Sequence, residues 1–150
     1  MKKAGILFVI FSTCLLTAQA QNIQPFDTEG KDTITTESGL QYIIVKEGTG
    51  EIPLKKDKLT MHYTGYFTDG EMFESSHSGN RPFKFKFLKD RVIPGWEEAL
   101  KLMKQGARYR LIIPWNLGYG EYGIGEEGES GYIPPKTDLI FDVELIKVEK

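Results

Sequence analysis

The 150-residue chain holds only two histidines and one cysteine, so the side chains that most often carry metal, thiol or general-base chemistry are scarce. Neither His62 nor His77 lies in an H-E-x-x-H pattern, and His62 falls on the polar side of an alternating strand, which weighs against a metal site. Gly123-Ile124-Gly125-Glu126-Glu127-Gly128 matches G-x-G-x-x-G letter by letter. It opens no helix, however, and its glutamates would repel the phosphate that helix-terminal amides should attract. There is no G-x-S-x-G and no nucleophile–base pairing. The acidic run Glu121, Glu126, Glu127, Glu129 lacks the Asp/Asn spacing of a calcium loop and reads as a solvated segment. What remains is aromatic: Tyr63, Phe73, Phe83, Trp96, Tyr119 and Phe141 all fall beside loop signals. On composition alone, a core role for these rings outweighs a pocket role.

The one clear helix signal lies between Val92 and Gly106. Trp96, Ala99, Leu100 and Met103 recur at i, i+3, i+4 and i+7 and form a single apolar stripe. Pro94 and Gly95 open the helix, Glu97 and Glu98 sit in its positive first turn, and Gly106 supplies a stop. A helix of about ten residues is not stable alone, so a sheet must hold the stripe. Residues 40–46 read as a strand. Leu59, Met61, Tyr63 and Phe67 alternate with Thr60, His62, Thr64 and Tyr66, and Asp69-Gly70 supplies a hairpin turn before a strand at 72–76. Phe83, Phe85 and Phe87 alternate with lysines, residues 108–113 form a further strand, and residues 139–145 alternate until the pattern slips at Ile146. The predicted fold is α+β: a curved antiparallel sheet of five to six strands wrapped around one short helix. Residues 118–135 form a loop long enough to suggest function.

Lys2 and Lys3, an apolar run from Gly5 to Leu16 and Ala18-Gln19-Ala20 make residues 1–20 a signal peptide, with Gln21 as the first mature residue. The run is short of the ~20 residues a membrane span needs, so no stable membrane insertion is expected. Cys14 lies inside the apolar run rather than at its end, so a lipoprotein signal fits less well than a cleaved one. Loss of Cys14 leaves a chain without thiol chemistry, compatible with a periplasmic or secreted setting. Residues 21–37 are polar and aperiodic and read as a flexible leader, with one domain at 38–150. A formal charge of −2 gives no electrostatic case for nucleic acid.

Spacing then shifts the aromatics toward a site. His62-Tyr63-Thr64-Gly65, Asp69-Gly70, Phe73-Glu74-Ser75-Ser76, Pro82-Phe83, Val92-Ile93-Pro94-Gly95-Trp96-Glu97, Gly118-Tyr119-Gly120, Ile133-Pro134-Pro135 and Phe141-Asp142-Val143-Glu144-Leu145 resemble, in order, the FKBP-type peptidyl-prolyl isomerases. The resemblance implies a pocket floored by Trp96 and walled by Tyr63, Phe73, Phe83, Val92, Ile93 and Phe141. It implies that Tyr119 and the Ile93 N–H meet the carbonyls of a bound peptide or macrolide inhibitor, and that Tyr132 and Ile133 shape the rim. Tyr63, Phe73, Glu74, Ile93, Trp96, Tyr119 and Phe141 are thus the expected catalytic residues, and Phe83, Val92, Tyr132 and Ile133 the expected substrate contacts. Glu74 stands where the family usually has Asp, and Gly79 where an arginine is common. The implied activity is rotation of X-Pro bonds in exported proline-containing polypeptides by a monomer, with no covalent step, cofactor or metal. The alternative is a chaperone or peptide-binding module that uses the same cleft with little turnover.

Overall fold

The computed structural model describes residues 23–150. The expected signal peptide lies outside the described residues. Among these residues the strands are β1 (Thr33–Thr35), β2 (Gln41–Lys46), β3 (Lys58–Phe67), β4 (Met72–Ser75), β5 (Phe83–Lys86), β6 (Arg108–Ile113) and β7 (Leu139–Glu149), with one α-helix, α1 (Pro94–Leu100). They form a single antiparallel sheet in the order β1-β2-β6-β7-β3-β4, with β5 also on β3. The seven strands exceed the expected five to six for two reasons. β1 comes from the segment read as a leader, and one edge of β3 is shared by β5 along Lys58–Met61 and by β4 along Thr64–Tyr66. The slip in the alternation at Ile146 is a register shift against β3, where Thr60 pairs with Lys147 and Met61 with Leu145.

The inner face carries Leu59, Met61, Leu111, Ile113, Phe141, Val143 and Leu145, all buried against Trp96, Ala99, Leu100 and Met103. Gly95 lets the helix start approach β6, because a Cβ there would lie 2.8 Å from the Ile113 side chain. The helix itself is shorter than the periodic stripe. The N–H groups of Lys101, Leu102 and Met103 still return to Glu98 and Ala99, and after them the backbone turns to other partners: Gln105 donates its N–H to the Glu51 carbonyl and Gly106 to that of Leu145. Met103 remains fully buried although it lies beyond the helix. Gly106 turns the chain at φ 91°.

Two expectations change on the outer face. The polar side of β3 is not simply solvated, since Thr60, Thr64 and Tyr66 are buried. Part of the cover comes from residues expected to be a flexible leader. Ile23 and Phe26 close over a hollow shared with His62, Thr64, His77, Asn80 and Asp142. The Phe26 N–H donates to Asp142 Oδ2 at 2.7 Å, and the Arg108 guanidinium lies 5.9 Å over the Phe26 ring. Further along, Thr36 N–H donates to the Leu40 carbonyl in the tight turn that folds β1 onto β2.

Beneath this strap the outer face is ordered by cross-strand rows. Arg108 and His62 both pair in register with Glu144, and Arg110 and Thr64 with Asp142. Arg110 grips Asp142 with Nε and Nη2 at 2.7 and 2.8 Å, while Arg108 Nη2 lies 3.1 Å from Glu144. His62 stacks on His77 with ring centroids 4.2 Å apart, and its Nδ1 lies 2.8 Å from Ser76 Oγ. Burial and the neighbouring His77 lower the His62 pKa, and Glu144 opposes the shift.

Asp142 is 3% exposed, so removing its cation would strand a buried carboxylate. Arg110→Met should cost about 3–5 kcal/mol in urea unfolding, and adding Asp142→Leu should recover part of that loss.

Candidate active site

Trp96 is carried on the buried stripe of α1 and is 6% exposed, so its indole is both core and floor. Three rings stand around it nearly on edge. Tyr63 lies 5.1 Å away at 68°, Phe141 5.3 Å away at 82°, and Phe83 6.0 Å away at 68°, measured between centroids and planes. Edge-to-face contact sets positive ring edges against negative faces and adds roughly 0.5–1.5 kcal/mol per pair beyond area burial. β3 contributes Tyr63, β7 Phe141 and β5 Phe83, so the box joins three strands to the helix.

A glycine and a bulge make room for it. Gly65 pairs directly with Phe141, and a Cβ on Gly65 would overlap the Phe73 ring and come within 2.9 Å of Phe141 Cε1. The β3–β4 register shifts between Gly65 and Tyr66, leaving Phe73 as the extra residue. Phe73 is thereby turned behind Phe141, at 5.6 Å and 90°, and also packs on Phe67 at 5.0 Å. It buttresses the wall and does not line the cleft.

The cleft encloses about 1000 Å³. Eight of the eleven expected residues line it: Tyr63, Glu74, Phe83, Val92, Ile93, Trp96, Tyr119 and Phe141. Besides Phe73, the exceptions are Tyr132 and Ile133. Ile133 is 2% exposed and belongs to the core, while Tyr132 is half-buried and does not line the cleft. Ile133 instead pins the long loop through paired backbone bonds with Ile124, of 3.0 and 2.9 Å. The rim is built by Tyr122, 89% exposed, and by Ile124. Arg91, Pro94 and Gly118 complete the lining and were also missed. The only sequence signals for the rim pair were loop length and apolar side chains standing among glycines and glutamates. The G-x-G-x-x-G segment contains the Ile124 bridge and forms no helix.

Polar groups are few and placed at the mouth. Burial, and then the Glu74 carboxylate, raise the Tyr63 phenol well above its usual value; Tyr119 is raised by the same two causes in the same order. Both phenols therefore stay neutral donors across the ordinary pH range. Ile93 caps the helix in an extended conformation, with its carbonyl accepting from Trp96 and Glu97. Its N–H meets no acceptor among the described residues. At the floor, Trp96 Nε1 is likewise buried without a partner among the described residues. Those residues contain no cluster of three potential metal ligands.

Comparison with known proteins agrees with this architecture. A family profile described as FKBP-type peptidyl-prolyl cis-trans isomerase matches residues 49–146. The chain is 44% identical over 114 residues to the FKBP-type 22 kDa peptidyl-prolyl cis-trans isomerase of Escherichia coli, covering 76% of this chain and 52% of that protein. It is 44% identical over 116 residues to the FKBP-type peptidyl-prolyl cis-trans isomerase FkpA of Aeromonas hydrophila, covering 77% and 40%. Among solved structures, FkpA from Escherichia coli superposes with a TM-score of 0.70 at 39% identity, over 78% of this chain and 51% of that one. AtFKBP13 superposes with 0.72 at 32% identity, over 78% and 98%. The chain belongs to the FKBP-type peptidyl-prolyl cis-trans isomerase family. It spans about half the length of the curated relatives it matches.

A phenol whose pKa is raised on folding stabilises the native state fully below the unfolded value of about 10 and loses that contribution as pH climbs through the native value. Thermal melts should therefore show Tm falling above about pH 10, with a shallower fall for Tyr63→Phe. Absorbance titration should show that variant lacking one late-ionising phenol.

Proposed function

We propose that this protein accelerates cis–trans rotation of X-Pro bonds in polypeptides. The observation that carries the reading is the box of edge-on rings around Trp96, open to a cleft whose mouth holds the free Ile93 N–H and the Tyr119 hydroxyl. The uncatalysed barrier is about 18–20 kcal/mol because twisting destroys amide resonance. The planar amide is the more dipolar form, so transfer from water to an aromatic enclosure penalises the ground state more than the twisted one. In this mechanism the prolyl ring sits over Trp96 between Tyr63, Phe83 and Phe141. Ile93 N–H and Tyr119 Oη hold carbonyls on either side of the turning bond. Glu74 accepts from the phenol edge and orients Tyr63. Nothing in this scheme transfers a proton to the substrate or forms a covalent bond.

The substrates are proline-containing segments of polypeptide clients. A volume of about 1000 Å³ is at the upper end for pockets that hold drug-sized ligands, which fits a peptide or a macrolide inhibitor in the same place. The protein acts as a monomer without nucleic acid, cofactor or metal. A second reading, client binding with little turnover, draws on the exposed apolar mouth of Phe83, Tyr122 and Ile124.

Exchange spectroscopy on a blocked X-Pro peptide separates the two. Isomerase action predicts catalysed exchange, with kcat/KM nearly flat between about pH 6 and 8, because no histidine lines the cleft and its Tyr63 and Tyr119 phenols are held protonated. Tyr119→Phe should lower kcat/KM by a few-fold with Tm nearly unchanged. Binding without exchange would establish the second reading. A step below about pH 6.5 removed by His62→Ala would place a histidine in the mechanism, contrary to its position on the outer face.

We further propose that the protein is exported, the signal being cleaved after Ala20. None of the described residues forms a helix long and apolar enough to cross a membrane. Intact-mass analysis of the exported protein should find a chain beginning at Gln21, and a lipid-bearing species retaining Cys14 would overturn the cleavage site.

A further inference from the structure

Among the thirteen residues that line the cleft only two are charged, Glu74 and Arg91. They differ in what they face. Glu74 is coupled to the Tyr63 and Tyr119 phenols, whose ionisation it opposes, so its charge already has a place in the polar edge of the site. Arg91 has none. Among the described residues its guanidinium makes no ion pair, no hydrogen bond and no ring contact. Arg108 and Arg110, by contrast, are each paired with a carboxylate at 3.1 and 2.7 Å. Arg91 is exposed, stands directly before Val92 and Ile93, and borders a wall that is otherwise apolar.

A cleft of this size extends beyond one prolyl ring, and a chain advances only about 3.3–3.6 Å per extended residue. Several residues on each side of the proline therefore pass along its walls. A guanidinium fork pairs best with a carboxylate, through two parallel N–H···O bonds. We propose that Arg91 is a specificity-determining residue, selecting client segments that carry an aspartate or glutamate within a few residues of the proline. This rests on the isomerase reading for the identity of the occupant. The opposing field comes from Glu74, from Glu121, which is 3.8 Å from Lys136, and from Glu126, Glu127 and Glu129 on the loop. The loop glutamates do not line the cleft, so they act at longer range and are screened by salt.

The test uses the full chain and blocked hexapeptides with one proline, bearing Glu, Gln or Lys at each position within three residues of it. Affinity is read from the fluorescence of the two tryptophans, and kcat/KM from exchange spectroscopy. At low salt, glutamate at one position should be favoured over glutamine by roughly two- to fivefold, the range of an exposed ion pair. The ratio should fall to near one in Arg91→Gln, drop below one in Arg91→Glu, and shrink in high salt. Comparing ratios within each variant cancels any general change in activity. A ratio near one at every position in the native protein, or a preference that survives Arg91→Gln, overturns the proposal. So does a lysine preference untouched by the substitution, which would assign the field to the acidic loop. Binding ratios as expected without exchange on any peptide would support Arg91 as the selector and overturn the isomerase reading instead.

Discussion

The structure depends on the mutual burial of the Trp96 stripe and the concave face of the sheet. A seven-residue helix has no independent stability, and a sheet with one exposed apolar face would aggregate. Each is the other's solvent. The indole is placed by this contact and by nothing local, since the helix opens without a side-chain cap. Because the same ring then serves as the cleft floor, packing that stabilises the domain also orients the site. The edge-on geometry of Tyr63, Phe83 and Phe141 is how three strands converge on one side chain.

The period of two along β7 couples this inner arrangement to the outer face. Phe141 points into the box while its neighbour Asp142 points outward, where it receives Arg110 and the Phe26 N–H. One buried carboxylate thus ties β6, β7 and the N-terminal strap together directly behind a wall of the cleft.

Much of this was legible in the sequence because it follows from repeating patterns. The stripe from Trp96 to Met103, the alternation along residues 59–67 and the slip at Ile146 are local consequences of helix and strand geometry. The aromatic walls were placed through the spacing of the motifs, and eight of the eleven expected site residues line one cleft. What could not be read was set by contacts distant in the chain. Phe26 is one of a few apolar residues scattered through a polar segment, and its meeting with Arg108 and Asp142, more than eighty residues on, fixes it. Beyond Met103 the chain leaves the helical path, and Glu51 and Leu145 take the N–H groups of Gln105 and Gly106. The burial of Ile133 and the place of Tyr122 at the rim could not be read for the same kind of reason. Pairing with Ile124 draws Ile133 into the core, and the glycines around Tyr122 leave it projecting into solvent.

This division also separates stability from selectivity within one cleft. Trp96 and Phe141 are buried on the core side, so changing them opens cavities before it alters ligand preference. Tyr119, Glu74, Arg91, Tyr122 and Ile124 stand on loops or at a strand end, where side chains can change at little structural cost. In the proposed mechanism the apolar box supplies what every X-Pro bond shares, a dry surface for the prolyl ring, and has no means of reading its neighbours. Any discrimination among sequences must come from the mouth. There, a free guanidinium, a phenol-coupled carboxylate and an exposed aromatic on a pinned loop are the groups with capacity left for a partner.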